Sequence, residues 1–355
     1  MLFLRIPWSL GIVDTVDPLL ARTLFWFTGH PIVYFWLLPA YVSWYAMIPR
    51  LAGGRLFSEP MARLAFLFFV LYSIPVGLHH QFSDPGIGGG IKLLHTFMTF
   101  AVFFPSLLTY FNVSASIETA ARLHGGTGWV KWVRNLPWGN PAFTGQVMGM
   151  FLFVPGGISG LTNASYNVNQ AIHNTTWVVG HFHLTVGGAV TLTFMATTYW
   201  LIPYLTGRAL WGRRLAVAQP IIFFVGMAMW SETMHRLGLE SIPRRTYLSQ
   251  APWFENEWGL NRILLLIGGP TMFVAGVLYF VIIIMTLVAS REPARVEVPL
   301  ARPGEEGSHE QVPKLLDSWR PWLIGSVVLI AIAYLPVFTH LLRNISSVPG
   351  FAGIW

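Results

Sequence analysis

The sequence predicts an all-α integral membrane protein, a single bundle of about eight transmembrane helices, and three observations carry that reading. Of the 355 residues 54% are hydrophobic and only 10% charged, a balance unlike that of water-soluble domains. The apolar residues fall in stretches long enough to cross a hydrocarbon layer of about 30 Å, where a helix satisfies every backbone group internally. Basic side chains gather in alternate connections between those stretches, as cytoplasmic loops do.

In chain order the spans are expected near 24–48, 62–80, 91–112, 143–163, 176–204, 215–235, 263–289 and 321–342. Before the first, Asp14, Asp17 and Arg22 keep the leading residues from being a buried span, and Met1 to Val16 carry no secretory signal pattern. The second is expected to close on Gly77-Leu78-His79-His80-Gln81-Phe82, because Pro85, Gly86, Gly88, Gly89 and Gly90 follow. Arg50 and Arg55, then Arg122, Lys131 and Arg134, then Arg208, Arg213 and Arg214, then Arg291, Arg295, Arg302 and Lys314 mark four cytoplasmic connections. Both chain ends are then expected outside. Residues 291–320, with Pro303, Gly304, Glu305, Glu306 and Gly307, read as a mobile cytoplasmic linker inside one membrane domain, 1–355.

A net charge of +7 would suggest nucleic acid for a soluble chain. Here the loop asymmetry accounts for it, and lipid, not nucleic acid, is the expected surroundings. With no cysteine, the chain holds neither disulfides nor thiolate-ligated metal centres. Any metal must use imidazole or oxygen.

Ionisable side chains inside membrane spans are costly, so the histidines there are candidate functional groups. His124 and His309 fall in loops, and His95, His235 and His340 near span ends, where hydrogen-bonded structural roles are expected. His30 and Tyr34 are four apart and share a helix face beside Pro31, either as a site or as a structural pair. Adjacent helical residues point about 100° apart, so His79 and His80 converge on one ion most easily where their helix ends. Neutral imidazoles from His30, His79 and His80 would make a copper site with an open position; zinc fits the same ligands. His181 and His183, two apart, project about 200° from each other and serve opposite faces of one span. Two iron centres flanking that helix, each held by one imidazole as hemes are, are the economical explanation of the pair; two hydrogen-bonded core histidines are the alternative, favoured for either alone and weak for both together.

Hydroxyls continue the pattern. Tyr41 and Tyr45 fall on the stripe of Tyr34, and Ser106 and Thr109 could face it from a neighbouring span. They read either as a proton route or as groups bonded to their own helices. Arg244 and Arg245, in an outer loop against the general charge bias, suit heme propionates or form an ordinary surface pair.

Together these residues resemble the catalytic subunit of heme-copper oxidases, and more narrowly the B-type cytochrome c oxidases of thermophilic bacteria. The likeness rests on Thr28-Gly29-His30-Pro31-Ile32-Val33-Tyr34, Gly77-Leu78-His79-His80-Gln81-Phe82, Asp84-Pro85-Gly86, Pro155-Gly156-Gly157, His173-Asn174-Thr175, Gly180-His181-Phe182-His183 and Pro243-Arg244-Arg245. It implies the subunit I fold over its carboxy-terminal two-thirds, without the amino-terminal helices. It implies copper on His30, His79 and His80, a high-spin heme on His181 and a low-spin heme on His183. It also implies Tyr34 cross-linked to His30, and propionate contacts from His173, Asn163, Arg244 and Arg245. Tyr41, Tyr45, Ser106 and Thr109 match a hydroxyl-lined proton channel. Asn169 stands where the family usually has an acidic residue, which removes the carboxyl group from that position.

The expected function is reduction of oxygen to water coupled to proton translocation. Electrons would come from cytochrome c through a subunit II with a binuclear copper centre, in a prokaryotic plasma membrane. The other axial histidine of the low-spin heme comes, in this family, from an earlier helix, expected on a separate chain or a missing segment. A nitric oxide reductase of the same superfamily, or a non-catalytic membrane subunit or transporter, are the competing readings. Tyr34 and the scarcity of glutamate within spans argue against the first of these.

Overall fold

The structure is a computed structural model, described for residues 2–245, 259–299 and 312–345. Among the described residues the regular elements are helices, the α-helices being α1 (Leu2–Ser9), α2 (Pro18–Leu51), α3 (Glu59–Tyr72), α4 (Gly89–Leu123), α5 (Pro141–Asn163), α6 (Tyr166–Ile172), α7 (Thr176–Phe182), α8 (Thr191–Thr206), α9 (Arg213–Leu239), α10 (Gly259–Val288) and α11 (Trp319–Arg343). Seven helical stretches among the described residues are long and apolar enough to span a membrane, with α7 and α8 counted as one. The protein is a multi-pass membrane protein.

Helix α2 starts earlier than the apolar run because Asp17 caps it, accepting from Leu19 N at 2.9 Å and Leu20 N at 3.0 Å, with Pro18 in the first turn. Arg22 is drawn out of the lipid stretch by Asp84, 2.7 Å away. Helix α4 runs past position 112 to Leu123, where its last turns leave the apolar register and Glu118 pairs with Arg122 at 2.6 Å.

The stretch expected as one span over 62–80 is divided. Helix α3 stops at Tyr72, and a 3₁₀ turn, Gly77–Gln81, follows. Pro75 is the cause, since it lacks an N–H and pushes Ile74 out of helical geometry. The span 176–204 also departs from a plain α-helix: after Phe182 it widens into a π-helix over His183–Val190 before α8. Such segments recur at functional sites.

The core lies where α2, α4, α5, the π segment and α9 meet, with Tyr41, Trp44, Phe143, Val147, Met150 and Leu184 buried. A smaller cluster joins α11 to α2 and the 3₁₀ turn through Leu78, Ala333 and Tyr334. The basic connections gather at one end of the bundle: Arg50, Arg213 and Arg295 line one cleft, and the 53–54 turn abuts His124 and Ala120. The first part of the expected linker is docked there, Ala209 N donating to Glu292 O at 2.9 Å and Ala294 N to Gly207 O at 2.8 Å. The segment Pro303 to Gly307 and His309 lie outside the described residues.

Candidate metal centre

The break between α3 and the 3₁₀ turn is what makes the site. Adjacent residues of the tight turn carry both His79 and His80 toward α2, where His30 faces them. His30 Nδ1 lies 3.1 Å from His80 Nε2, and His79 Nε2 lies 3.0 Å from the same atom. These three nitrogens are the one cluster among the described residues with metal-ligand spacing. Nitrogens that share an ion at about 2 Å stand about this far apart.

The surroundings prepare the cluster for a cation ligand set. The Thr99 hydroxyl donates to His95 O at 2.6 Å, so it accepts the His79 Nδ1 proton across 2.7 Å. That fixes the His79 tautomer with Nε2 free to ligate. The Trp26 ring stacks on His80, centroids 3.8 Å apart at 16°. His30 turns Nδ1 into the cluster, and its Nε2 is buried without a hydrogen-bond partner. Tyr34 packs against His30 with ring centroids 4.8 Å apart.

His181 lines the same cavity from α7, together with Tyr34, Val102, Phe153 and Gly157. His181 Nδ1 donates to Gly156 O at 2.9 Å, which leaves Nε2 for a metal. A Cβ at Gly160 would sit 2.5 Å from His181 Cε1, so glycine is required beneath the imidazole. His183 is absent from this cavity. It donates Nδ1–H to Val179 O at 2.8 Å and packs on Trp230 of α9, 4.8 Å between centroids. Widening into a π-helix at His183 does not bring the two histidines onto one face.

On the outer side of the cavity, Asn163 lines the wall and accepts two bonds from the Asn169 amide, at 2.7 Å to its carbonyl and 3.1 Å to Oδ1. A carboxylate has no proton to donate there, so this contact suits the amide found at 169. His173 ends α6, and burial lowers its pKa although Asp84 opposes the shift. Arg244 Nη2 donates to Asn174 Oδ1 at 2.8 Å, and burial, with Arg245 and Arg22 nearby, lowers its pKa. Arg245 follows in a left-handed conformation, φ 62°.

Of the expected hydroxyl stripe, Tyr41 OH donates to Ser106 Oγ at 3.0 Å. Thr109 gives its proton to Pro105 O at 2.8 Å, and the buried Tyr45 hydroxyl beside it makes no hydrogen bond of good geometry. Asn112, not anticipated from the sequence, closes the basic end of the stripe by bonding Ser58 through N and O at 3.0 and 2.6 Å. Trp26 could have been found, since it stands one turn before His30 on the same face. Thr99 could not, because its partner sits on another element.

A membrane-spanning helical bundle with a buried three-imidazole cluster, faced across one cavity by a fourth imidazole, defines a membrane protein with a candidate metal centre. The chain belongs to the cytochrome c and quinol oxidase polypeptide I family, whose sequence description matches residues 1–271. It is 45% identical over 357 aligned residues to cytochrome c oxidase subunit 1 of Thermus thermophilus, covering 99% of this chain and 63% of that one. A cytochrome c oxidase polypeptide 1 of Halobacterium salinarum is 30% identical over 66% of this chain and 37% of its own length. A heme-copper terminal oxidase dimer solved by cryo-electron microscopy superposes with a TM-score of 0.89 at 39% identity, over 97% of this chain and 62% of that one. The chain therefore spans somewhat under two thirds of the Thermus protein and of the solved oxidase, and its match covers little more than a third of the Halobacterium one.

Proposed function

We propose that this chain carries the oxygen-reducing centre of a respiratory cytochrome c oxidase. Membership of the family implies heme and copper as cofactors. The observation that carries the reading is the convergence of His30 Nδ1, His79 Nε2 and His80 Nε2 on one point, in a cavity also lined by His181 and Tyr34. His30, His79 and His80 would hold copper, His181 a high-spin heme, and His183, on the opposite side of its helix, a low-spin heme. When bound, copper and heme iron supply the electrons that cleave oxygen.

The residues of the chain supply the rest. Thr99 and Gly156 hold His79 and His181 in the tautomers that leave Nε2 unprotonated. The unpaired Nε2 of His30 suits a covalent link to the Tyr34 ring, and the Tyr34 hydroxyl beside the metals would give a proton and an electron. Tyr34 also sets the reading apart from a nitric oxide reductase. Tyr41 and Ser106 are joined already, and Tyr45 and Thr109 continue toward the basic end of the bundle, so a proton could be carried inward along them with water between. Arg244, Arg245, His173 and Asn163 would bind the propionates.

The second ligand of the low-spin heme is assigned to a part of subunit I beyond this chain, and cytochrome c to a subunit II bearing a binuclear copper centre. A prokaryotic plasma membrane, with the basic loops inside, is the setting proposed. Metal analysis and optical spectra of the complex test the centre. His80→Ala should lower copper at least about 10-fold in affinity while both heme spectra persist. Full copper retention in that variant overturns the copper assignment.

A further inference from the structure

We infer that Tyr334 of α11 is a positioning residue for the copper-ligand turn, so that the last helix, beyond the residues matched by the family description, tunes the metal affinity of the centre. This rests on the copper reading of His30, His79 and His80.

Pro75 interrupts α3 and leaves peptide groups around the break without helical partners. Tyr334 OH takes up two of them. It accepts from Gly77 N at 2.9 Å and donates to Ile74 O at 3.1 Å, pinning both sides of Pro75. The side chain is 2% exposed, so no water competes for these groups. Gly77 is required by the approach: a Cβ there would lie 2.5 Å from the Tyr334 hydroxyl and would clash with the Trp26 carbonyl. Its ring is held by Phe27, Phe338 and His95, with centroids 4.8, 5.9 and 5.2 Å away. The neighbouring Ala333 carbonyl receives His95 Nε2–H at 3.2 Å, and the Thr99 hydroxyl that orients His79 donates to the His95 carbonyl. Helix α11 thus reaches the ligands along two lines, one to the backbone just before His79 and one through α4 to its ring. Both lines are made by protein groups alone, and a turn organised by such contacts binds an ion more tightly than one the ion must organise.

Tyr334→Phe keeps the ring and removes both hydroxyl contacts. In the assembled oxidase, copper retention against a chelator should weaken about 10-fold, with heme content and heme spectra unchanged. The infrared band of carbon monoxide placed on the copper should shift or broaden. Ser326→Ala cuts a different tether of α11, the 2.7 Å bond to Val70 O, and should leave copper affinity unchanged. Equal copper loss in the two variants, or unchanged affinity in Tyr334→Phe, overturns the inference. If Tyr334→Phe does not accumulate, hydrogen exchange across residues 73–82 of the wild-type complex decides. Protection of the Gly77 amide should survive copper removal, and its loss on removal would show that the metal organises the turn. His80→Ala retaining copper would refute the copper reading itself, whatever Tyr334 does.

Discussion

At the scale of single residues, the site is a set of imidazoles whose second nitrogen is occupied or withheld. His79 gives Nδ1–H to Thr99 and His181 gives Nδ1–H to Gly156, so in each the remaining nitrogen faces the cavity. His30 differs, with Nδ1 turned to the cluster and Nε2 buried without a partner beside Tyr34. Tyr34→Phe preserves the packing and removes the hydroxyl; oxygen consumption should fall by about 10²–10⁴ while heme and copper content stay at wild-type levels. Near-normal turnover in that variant would remove Tyr34 from the chemistry. Asn169 is the other informative position. Asn169→Asp can keep a donated bond to Asn163 only while its carboxyl is protonated. Its protonated form is favoured by folding, so the variant's stability relative to wild type should be greatest at acid pH. It should drop by about 1–3 kcal/mol as pH rises through the carboxylate range, read by thermal loss of the heme band. A stability difference independent of pH would show that the amide contact is not what the site requires.

At the scale of elements, breaks in regular helix place the chemistry. The Pro75 interruption lets His79 and His80 leave from a tight turn at membrane depth, where free backbone groups are tolerated because Tyr334 and neighbouring helices satisfy them. The π segment after Phe182 begins at His183, on the far side of the helix from the cavity. Helix α5 answers α7 with a run of small residues, and Gly160 lies directly under the His181 ring. Gly160→Ala should displace the imidazole and shift or abolish the high-spin heme absorption, while copper content holds. An unchanged optical spectrum would mean the ring has room that the packing denies it.

At the scale of the whole molecule, the charge asymmetry becomes a geometry. The connections bearing Arg50, Arg213 and Arg295 meet around one cleft, and Arg22, Asp84 and Arg244 stand at the opposite end. A polar cluster at each end and an apolar belt between them is how a bundle sits in a bilayer. Because the chain has no cysteine, orientation can be read with single introduced thiols. Thr127→Cys should react with a membrane-impermeant maleimide only from the cytoplasmic side, and Glu240→Cys only from the outside; the reverse pattern would invert the topology.

The sequence by itself determined the membrane class, most of the spans and the three histidines that the bundle brings together, because apolar length and the cost of a buried imidazole are local properties. The stripe of Tyr34, Tyr41 and Tyr45 on α2 was also within reach, since helical spacing alone puts these hydroxyls on one face. What it could not supply were contacts between elements distant in the chain. Thr99 on α4 selects the His79 tautomer, and Trp26 stacks on a histidine in a different element. The span drawn over 62–80 hid the break at Pro75, because the apolar run continues through it and the side chains that bond the freed backbone, Tyr334 and Ser326, lie on α11, 256 to 260 residues further along the chain. Periodicity reports which face of a helix is apolar; only the packed bundle decides what that face meets, since each buried polar atom must find a partner in three dimensions.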